Sequence, residues 1–149
     1  MKISGSYALE IPQERAHQMM QDPEVLARAM PGCEALEKIG ENEYRMKMKM
    51  ALASLSGVFE GKVRISDQNP PSSFRLVVEG SGRPGFIKGD GLLKFTPAAS
   101  GGTEVSYAGD VQVGGTIAAV GQRLLDGTAK LLIKKFFEKL SAATNTVAS

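Results

Sequence analysis

A chain of 149 residues is long enough for one domain with a real core and too short for two to be expected. Its formal net charge of +2, with 42% apolar and 23% charged residues and no basic tail or acidic block, excludes a charge-driven nucleic-acid partner. One cysteine, Cys33, excludes an internal disulfide and any cysteine-based zinc cluster; with no leader-like start and no apolar run near the roughly 18 residues a bilayer demands, a soluble, cytoplasmic protein is expected.

From Lys2 to Ile11 the residues alternate, with Ile3, Gly5, Tyr7, Leu9 and Ile11 on one face, which predicts a half-buried strand. Pro12 suits the first position of a helix through about Gln21, and Asp22-Pro23 restarts a second short helix, capped by Asp22, that ends at Met30-Pro31-Gly32. Period two then holds for some eighty residues. Strands are predicted over Cys33 to Ile39, Glu43 to Ala53, Gly57 to Ser66, Phe74 to Gly82, Gly85 to Thr96 and Thr103 to Val113. Between them, Gly40-Glu41-Asn42, Ser54 to Ser56, Asn69-Pro70-Pro71-Ser72 and Pro97 to Gly102 read as turns and loops.

The last third reads as one long helix, entered at Gly114-Gly115 with Thr116 as N-cap and fraying after about Ala143. Ile117, Val120, Gly121, Leu124, Thr128 and Leu131 share one sector; Ala118, Leu125, Ala129, Leu132, Phe136 and Leu140 form a neighbouring stripe. The first half is thus apolar over a wide arc and is expected to face the sheet, while the lysine-rich second half sits near the sheet's edge. The sum is an α+β domain over residues 1–149: a seven-stranded antiparallel curved sheet wrapped around a long C-terminal helix, with two short helices after the first strand. The other sheet face carries Arg45, Lys47, Lys49, Glu60, Lys62, Arg64, Arg75 and Glu79 and should be wet.

The alternation is most informative where it places glycine on the face that should be filled: Gly5, Gly61, Gly80, Gly82, Gly89, Gly91 and Gly109. Glycine weakens a strand and supplies nothing to pack, so these positions mark either bends of a coiled sheet or a hollow beneath the helix. Interiors are close-packed, and a hollow implies an apolar or flat amphipathic occupant. Its expected walls are Tyr7, Met46, Met48, Met50, Phe59, Phe86, Tyr107, Ile117, Val120, Gly121, Leu124 and the segment Leu26 to Met30. Methionine suits a wall that adapts to a ligand, and Tyr7 and Tyr107 would offer hydroxyls to a carbonyl or headgroup, although methionine rows also fill plain cores.

Nothing points to catalysis. His17 is the only histidine and is read on a surface-type helix without a serine or cysteine partner, and no metal-ligand spacing occurs. Asp90, between Gly89 and Gly91, reads as an outward-facing charge.

Asp22-Pro-Glu-Val-Leu, Met30-Pro-Gly-Cys-Glu-Ala-Leu-Glu, Phe59-Glu-Gly-Lys-Val, Asp67-Gln-Asn-Pro-Pro, Gly89-Asp-Gly, Tyr107-Ala-Gly-Asp-Val-Gln-Val-Gly-Gly and Gly121-Gln-Arg-Leu-Leu-Asp-Gly-Thr-Ala-Lys resemble the carbon monoxide dehydrogenase CoxG family, within the START-like (SRPBCC) helix-grip superfamily. The resemblance runs from residue 1 to about residue 140. It implies a helix-grip fold with a cavity between sheet and long helix, no catalytic motif, no cofactor and no metal. It also implies a quinone or lipid as hydrophobic ligand, a molybdenum hydroxylase of the carbon monoxide dehydrogenase type as partner, and peripheral contact with the inner membrane face. Many members continue into a linker and membrane-binding tail, whereas this sequence stops at Ser149. Two functions follow as expectations: a non-enzymatic carrier, or a recruitment module that docks the dehydrogenase through its outer surface, where Lys47, Lys49, Lys62 and Arg64 lie. An enzyme using the cavity is a third and weaker reading.

Overall fold

Strands form wherever the residues alternate strictly. A computed structural model describes residues 1–52 and 55–148, with side chains described outside 52, 55 and 143–148. The strands are β1 (Lys2–Leu9), β2 (Cys33–Gly40), β3 (Glu43–Leu52), β4 (Leu55–Asn69), β5 (Ser73–Gly82), β6 (Gly85–Pro97) and β7 (Thr103–Gly114). They form one antiparallel sheet in the order β1-β7-β6-β5-β4-β3-β2, so the chain meanders from one edge to the other and β1 closes onto the last strand. The end of the predicted third strand at Ala53 and the start of the following turn at Ser54 lie outside the described residues; pairing is in place from Leu55, which puts Ser56 in β4. β4 also runs past its expected end at Ser66, through an irregularity between Ser66 and Asn69 where Asp67 takes φ 51°.

The helices α1 (Gln13–Met19) and α2 (Pro23–Ala29) follow β1. Pro12 is the extended residue before α1 rather than its first helical one, whereas Asp22 caps α2 as expected, its side chain accepting from the Glu24 N–H at 3.0 Å. α1 crosses the end of the sheet, held by Gln13, whose side-chain amide donates to the Phe95 carbonyl at 2.7 Å. This corrects the reading of His17. It is 5% exposed and stands edge-on to Phe74 and Phe95, with ring centroids 5.4 and 5.3 Å away.

The long helix does not start at Thr116. Thr116–Val120 is a short 3-10 turn, and α3 (Gln122–Ala148) begins only after Gly121, at φ 99°. Two bonds hold the turn back: the Ile117 N–H to the Pro84 carbonyl at 2.9 Å, and the Thr116 hydroxyl, which donates to the same carbonyl at 2.8 Å instead of capping a helix. Ile117 is thereby pressed against Phe59 in a small cluster of its own. The backbone of α3 stays helical past Ala143, to Ala148.

The main core fills the opposite end, where Leu9, Ala16, Phe74, Phe95, Val105 and Leu140 are all at most 2% exposed. Removing so much apolar surface from water is the chief favourable term in folding. The outer sheet face is wet, as its alternating charges require: Arg45, Lys47, Lys49, Glu60, Lys62, Arg64 and Glu79 are exposed. There Arg75 bonds both Asp67 (3.1 Å) and Asp90 (2.8 Å), which accounts for Asp90 as a surface charge.

Candidate functional site

Between the main core and the Phe59–Ile117 cluster the interior is open. A cavity of about 380 Å³ lies there, within the range of small-molecule sites. Its floor is the inner face of β5, β6 and β7, with Leu76 and Val78, then Ile87, Gly89, Gly91 and Leu93, then Tyr107, Gly109 and Val111. Gly91 stands directly opposite Gly109, and Gly89 opposite Val111. The intervening residues Asp90, Leu92, Ala108 and Asp110 also border the space.

Ile3 of β1 and Met48 and Met50 of β3 form the sides. The roof comes from two helices: Leu26, Met30 and Pro31 at and just after α2, and Leu132, Ile133, Phe136 and Phe137 of α3. Four of the seven methionines, Met20, Met30, Met48 and Met50, face the cavity. The lining is almost wholly apolar. Asp90 and Asp110 turn their carboxylates to the outer face, toward Arg75 and the N-terminal ammonium respectively.

The inward glycines divide into two groups. A Cβ on Gly61, Gly82 or Gly109 would overlap a carbonyl of the adjacent strand, that of Glu79, Val58 or Asp90, and one on Gly91 would press on the Ala108 carbonyl at 3.2 Å, so these four mark close strand approach in a coiled sheet. At Gly89, which borders the cavity, such a Cβ would make only ordinary contacts, at 3.9 and 4.0 Å, so the position tolerates a side chain. Gly80 lies under Met46 and Phe59, and Gly5 under the Tyr107 phenol.

Of the residues expected to wall a ligand site, Leu26, Met30, Met48, Met50 and Tyr107 border the cavity. Tyr7, Met46, Phe59 and Ile117 point inward but are packed: Tyr7 stacks on Phe137, Met46 is 5% exposed in the main core, and Phe59 and Ile117 bury each other. Phe86 lies elsewhere. Its neighbour Ile87 takes the inward position, so Phe86 falls on the outer face, 48% exposed and resting on Gly114. Val120, Gly121 and Leu124 border an open groove on the outer side of α3 with Gly127 and Leu131; Val120 is 39% and Leu124 53% exposed.

The half of the helix that roofs the cavity is therefore the second, not the first. The first half carries Gly127 and follows Gly121, at neither of which would an added Cβ meet anything within 4 Å, while the second carries the fully buried Leu140. Leu132 and Phe136 belong to the second apolar stripe of the sequence. The signal for them is that stripe together with the Gly91–Gly109 pairing, which places the hollow under β6 and β7.

Chemically the site is quiet. Burial pushes the Cys33 thiol up, with the Ala35 carbonyl as its 3.5 Å partner, which disfavours a thiolate nucleophile. Burial, then the neighbouring Tyr7, push the Tyr107 hydroxyl up, and Lys130 partly offsets them. Among the described residues no group of histidine, cysteine and carboxylate side chains is placed to hold a metal.

Residues 5–145 match the family model for CoxG of carbon monoxide dehydrogenase. The chain belongs to this family. A conserved protein from Geobacillus kaustophilus is similar in structure at 34% identity, covering 98% of this chain and 96% of its own, with a TM-score of 0.94. A START superfamily protein from Mycobacterium smegmatis matches at 10% identity over 98% of both chains (TM-score 0.77), and Ara h 8.0201 at 10% over 98% of both (TM-score 0.71). These two distant matches show the fold alone, and the CoxG chain shares it, with the seven-stranded curved sheet, two short helices after β1 and long C-terminal helix expected of a helix grip. No curated protein matches it. Among the described residues no helix is long and apolar enough to cross a membrane.

Proposed function

We propose that this CoxG chain is a non-enzymatic carrier that takes a hydrophobic molecule, a quinone or a lipid, into the cavity beneath α3 and serves a molybdenum-containing hydroxylase of the carbon monoxide dehydrogenase type. The observation that carries the reading is the cavity: an apolar space of about 380 Å³ over a floor where Gly89, Gly91 and Gly109 present no side chains. A void lined by leucine, isoleucine, methionine and phenylalanine forfeits packing energy unless something fills it. Its walls bind and exclude water, and among the described residues they hold no acid, base or nucleophile suited to turnover. Native mass spectrometry and organic extraction of the purified protein test this directly. The expected result is a co-purifying apolar molecule, or uptake of an added quinone or lipid that displaces a fluorescent apolar probe. Absence of both overturns the carrier.

A second reading, recruitment of the dehydrogenase to the membrane's inner face through the outer sheet surface, is favoured by Lys47, Lys49 and Arg64. All three are exposed there without an ion pair among the described residues, beside Lys62, which pairs with Glu43 at 3.8 Å. Exposed cations are commonly just solvated. Reversing these charges separates the readings, since loss of partner binding with intact ligand uptake supports recruitment.

A further inference from the structure

The chain has three tyrosines, and they divide in a telling way. Tyr44, 4% exposed in the main core, donates its hydroxyl to the Gln21 carbonyl at 3.0 Å. Tyr7 and Tyr107 flank Phe137 with near-parallel rings, at centroid distances of 4.5 and 6.2 Å, and among the described residues neither hydroxyl has a hydrogen-bond partner. No fully buried side-chain nitrogen or oxygen described in the structure lacks a partner, so these two hydroxyls are not sealed in; they reach open space.

The position of that space follows from Gly5. The Tyr107 phenol lies across β1 where a Gly5 side chain would be, its oxygen 2.6 Å from an ideal Cβ there. Gly5 sits between Ile3, which borders the cavity, and Tyr7, which does not. Tyr107 borders the cavity, and its hydroxyl, which lies over Gly5, is close enough to Tyr7 and Lys130 for both to act on its ionisation. Lys130 is itself paired with Asp126 at 3.0 Å. An otherwise apolar cavity thus has one polar end.

We propose that Tyr107 is a specificity-determining residue: its hydroxyl donates a hydrogen bond to an acceptor oxygen, a carbonyl or a carboxylate, at one end of an amphipathic ligand whose apolar body lies under α3. This rests on the carrier reading and adds to it the orientation and chemical class of the ligand. A donor without a protein partner discriminates strongly, because a ligand lacking the acceptor displaces water from the hydroxyl and gives nothing back. Tyr7, outside the cavity, stacks on the Phe137 ring against which Tyr107 is also aligned.

The test uses three probes with one ring system: 2-ethylnaphthalene, 2-acetylnaphthalene and 2-naphthoate, each competing against bound N-phenyl-1-naphthylamine. The wild-type chain is expected to bind the ketone about tenfold more tightly than the hydrocarbon, the worth of one net hydrogen bond. Tyr107→Phe, which keeps the ring, should bring the ketone down to the hydrocarbon's affinity and leave the hydrocarbon within about twofold. A carboxylate that outbinds the ketone, with the increment lost in Lys130→Met, identifies a carboxylate end; equal affinities identify a neutral carbonyl. Equal binding of ketone and hydrocarbon by the wild type, or an equal loss of both in Tyr107→Phe, overturns the proposal while the carrier stands. Failure of the fluorescent probe and all three compounds to bind overturns the carrier reading itself.

Discussion

The ring of Phe137 lies 4.5 Å from that of Tyr7, with the two planes 10° apart. Phe137 is 4% exposed, meets Phe136 edge-on at 5.2 Å, and joins α3 to β1 where the helix leaves the cavity and enters the core. Phe137→Ala is expected to cost about 3–5 kcal/mol, measured as a lowered denaturant midpoint with unchanged slope. Phe137→Leu should cost less, because it retains most of the volume. An alanine variant as stable as the parent would mean the stack is not what anchors the helix.

Two inward glycines should respond oppositely to substitution. Gly89→Leu adds a side chain at a cavity-lining position where a Cβ meets only ordinary contacts, so the fold should persist with a melting temperature unchanged or raised, while affinity for an apolar probe drops at least about tenfold. Gly61→Ala drives a methyl into the Glu79 carbonyl and should destabilise by about 1–3 kcal/mol. Probe titration beside thermal melts of both variants reads this contrast directly.

Gly121→Leu separates the two halves of α3. At φ 99°, where an added Cβ would meet nothing within 4 Å, the position is strained for leucine but lies on the outer groove rather than the cavity. A loss of about 1 kcal/mol in stability with unchanged probe affinity is expected. Leu132→Ala, in the roof, should show the reverse emphasis and alter probe affinity most.

Tyr44 makes the alkaline limb of stability predictable. Burial, then the charge of Asp22, raise its hydroxyl above the ordinary value of about 10. The folded chain therefore holds this proton more tightly than the unfolded one. The resulting stabilisation is complete below about pH 10 and is lost as the pH rises through the raised value; Tyr107 acts in the same direction. Tyr44→Phe should cost about 1–2 kcal/mol at neutral pH, by orphaning the Gln21 carbonyl, and should flatten the fall in stability above about pH 10. Urea titrations at several alkaline pH values check both parts.

Alternation carries most of the sheet. A half-buried strand writes its two faces into the chain at period two, so Met46, Phe59, Val63 and Val105 can be turned inward from residue identity alone. The cap at Asp22 is equally local. Periodicity tells which face of an element is apolar, but not where along its length that face meets a neighbour. That is why Val120 and Leu124 read as cavity wall yet lie outside, and why Ile133 and Phe137 escape a reading by stripe. His17 is misplaced by sequence because a histidine's burial depends on what the α1–β6 contact brings to it, here Phe74 and Phe95. The break at Gly121 depends on the Pro84 carbonyl, more than thirty residues away in the chain.

The paired Gly91 and Gly109 leave the ligand's floor made of peptide groups already committed to their neighbours on both sides, since β6 lies between β5 and β7. That glycine strip has almost nothing to vary. Relatives that share it can diverge in cargo by changing the ceiling and the rim, at Leu26, Met30, Leu132, Ile133, Phe136 and Tyr107. Exchanging those six positions between members of the family should transplant ligand preference without disturbing the sheet, which makes the two helices together with Tyr107 a cassette and the remaining strand residues its chassis.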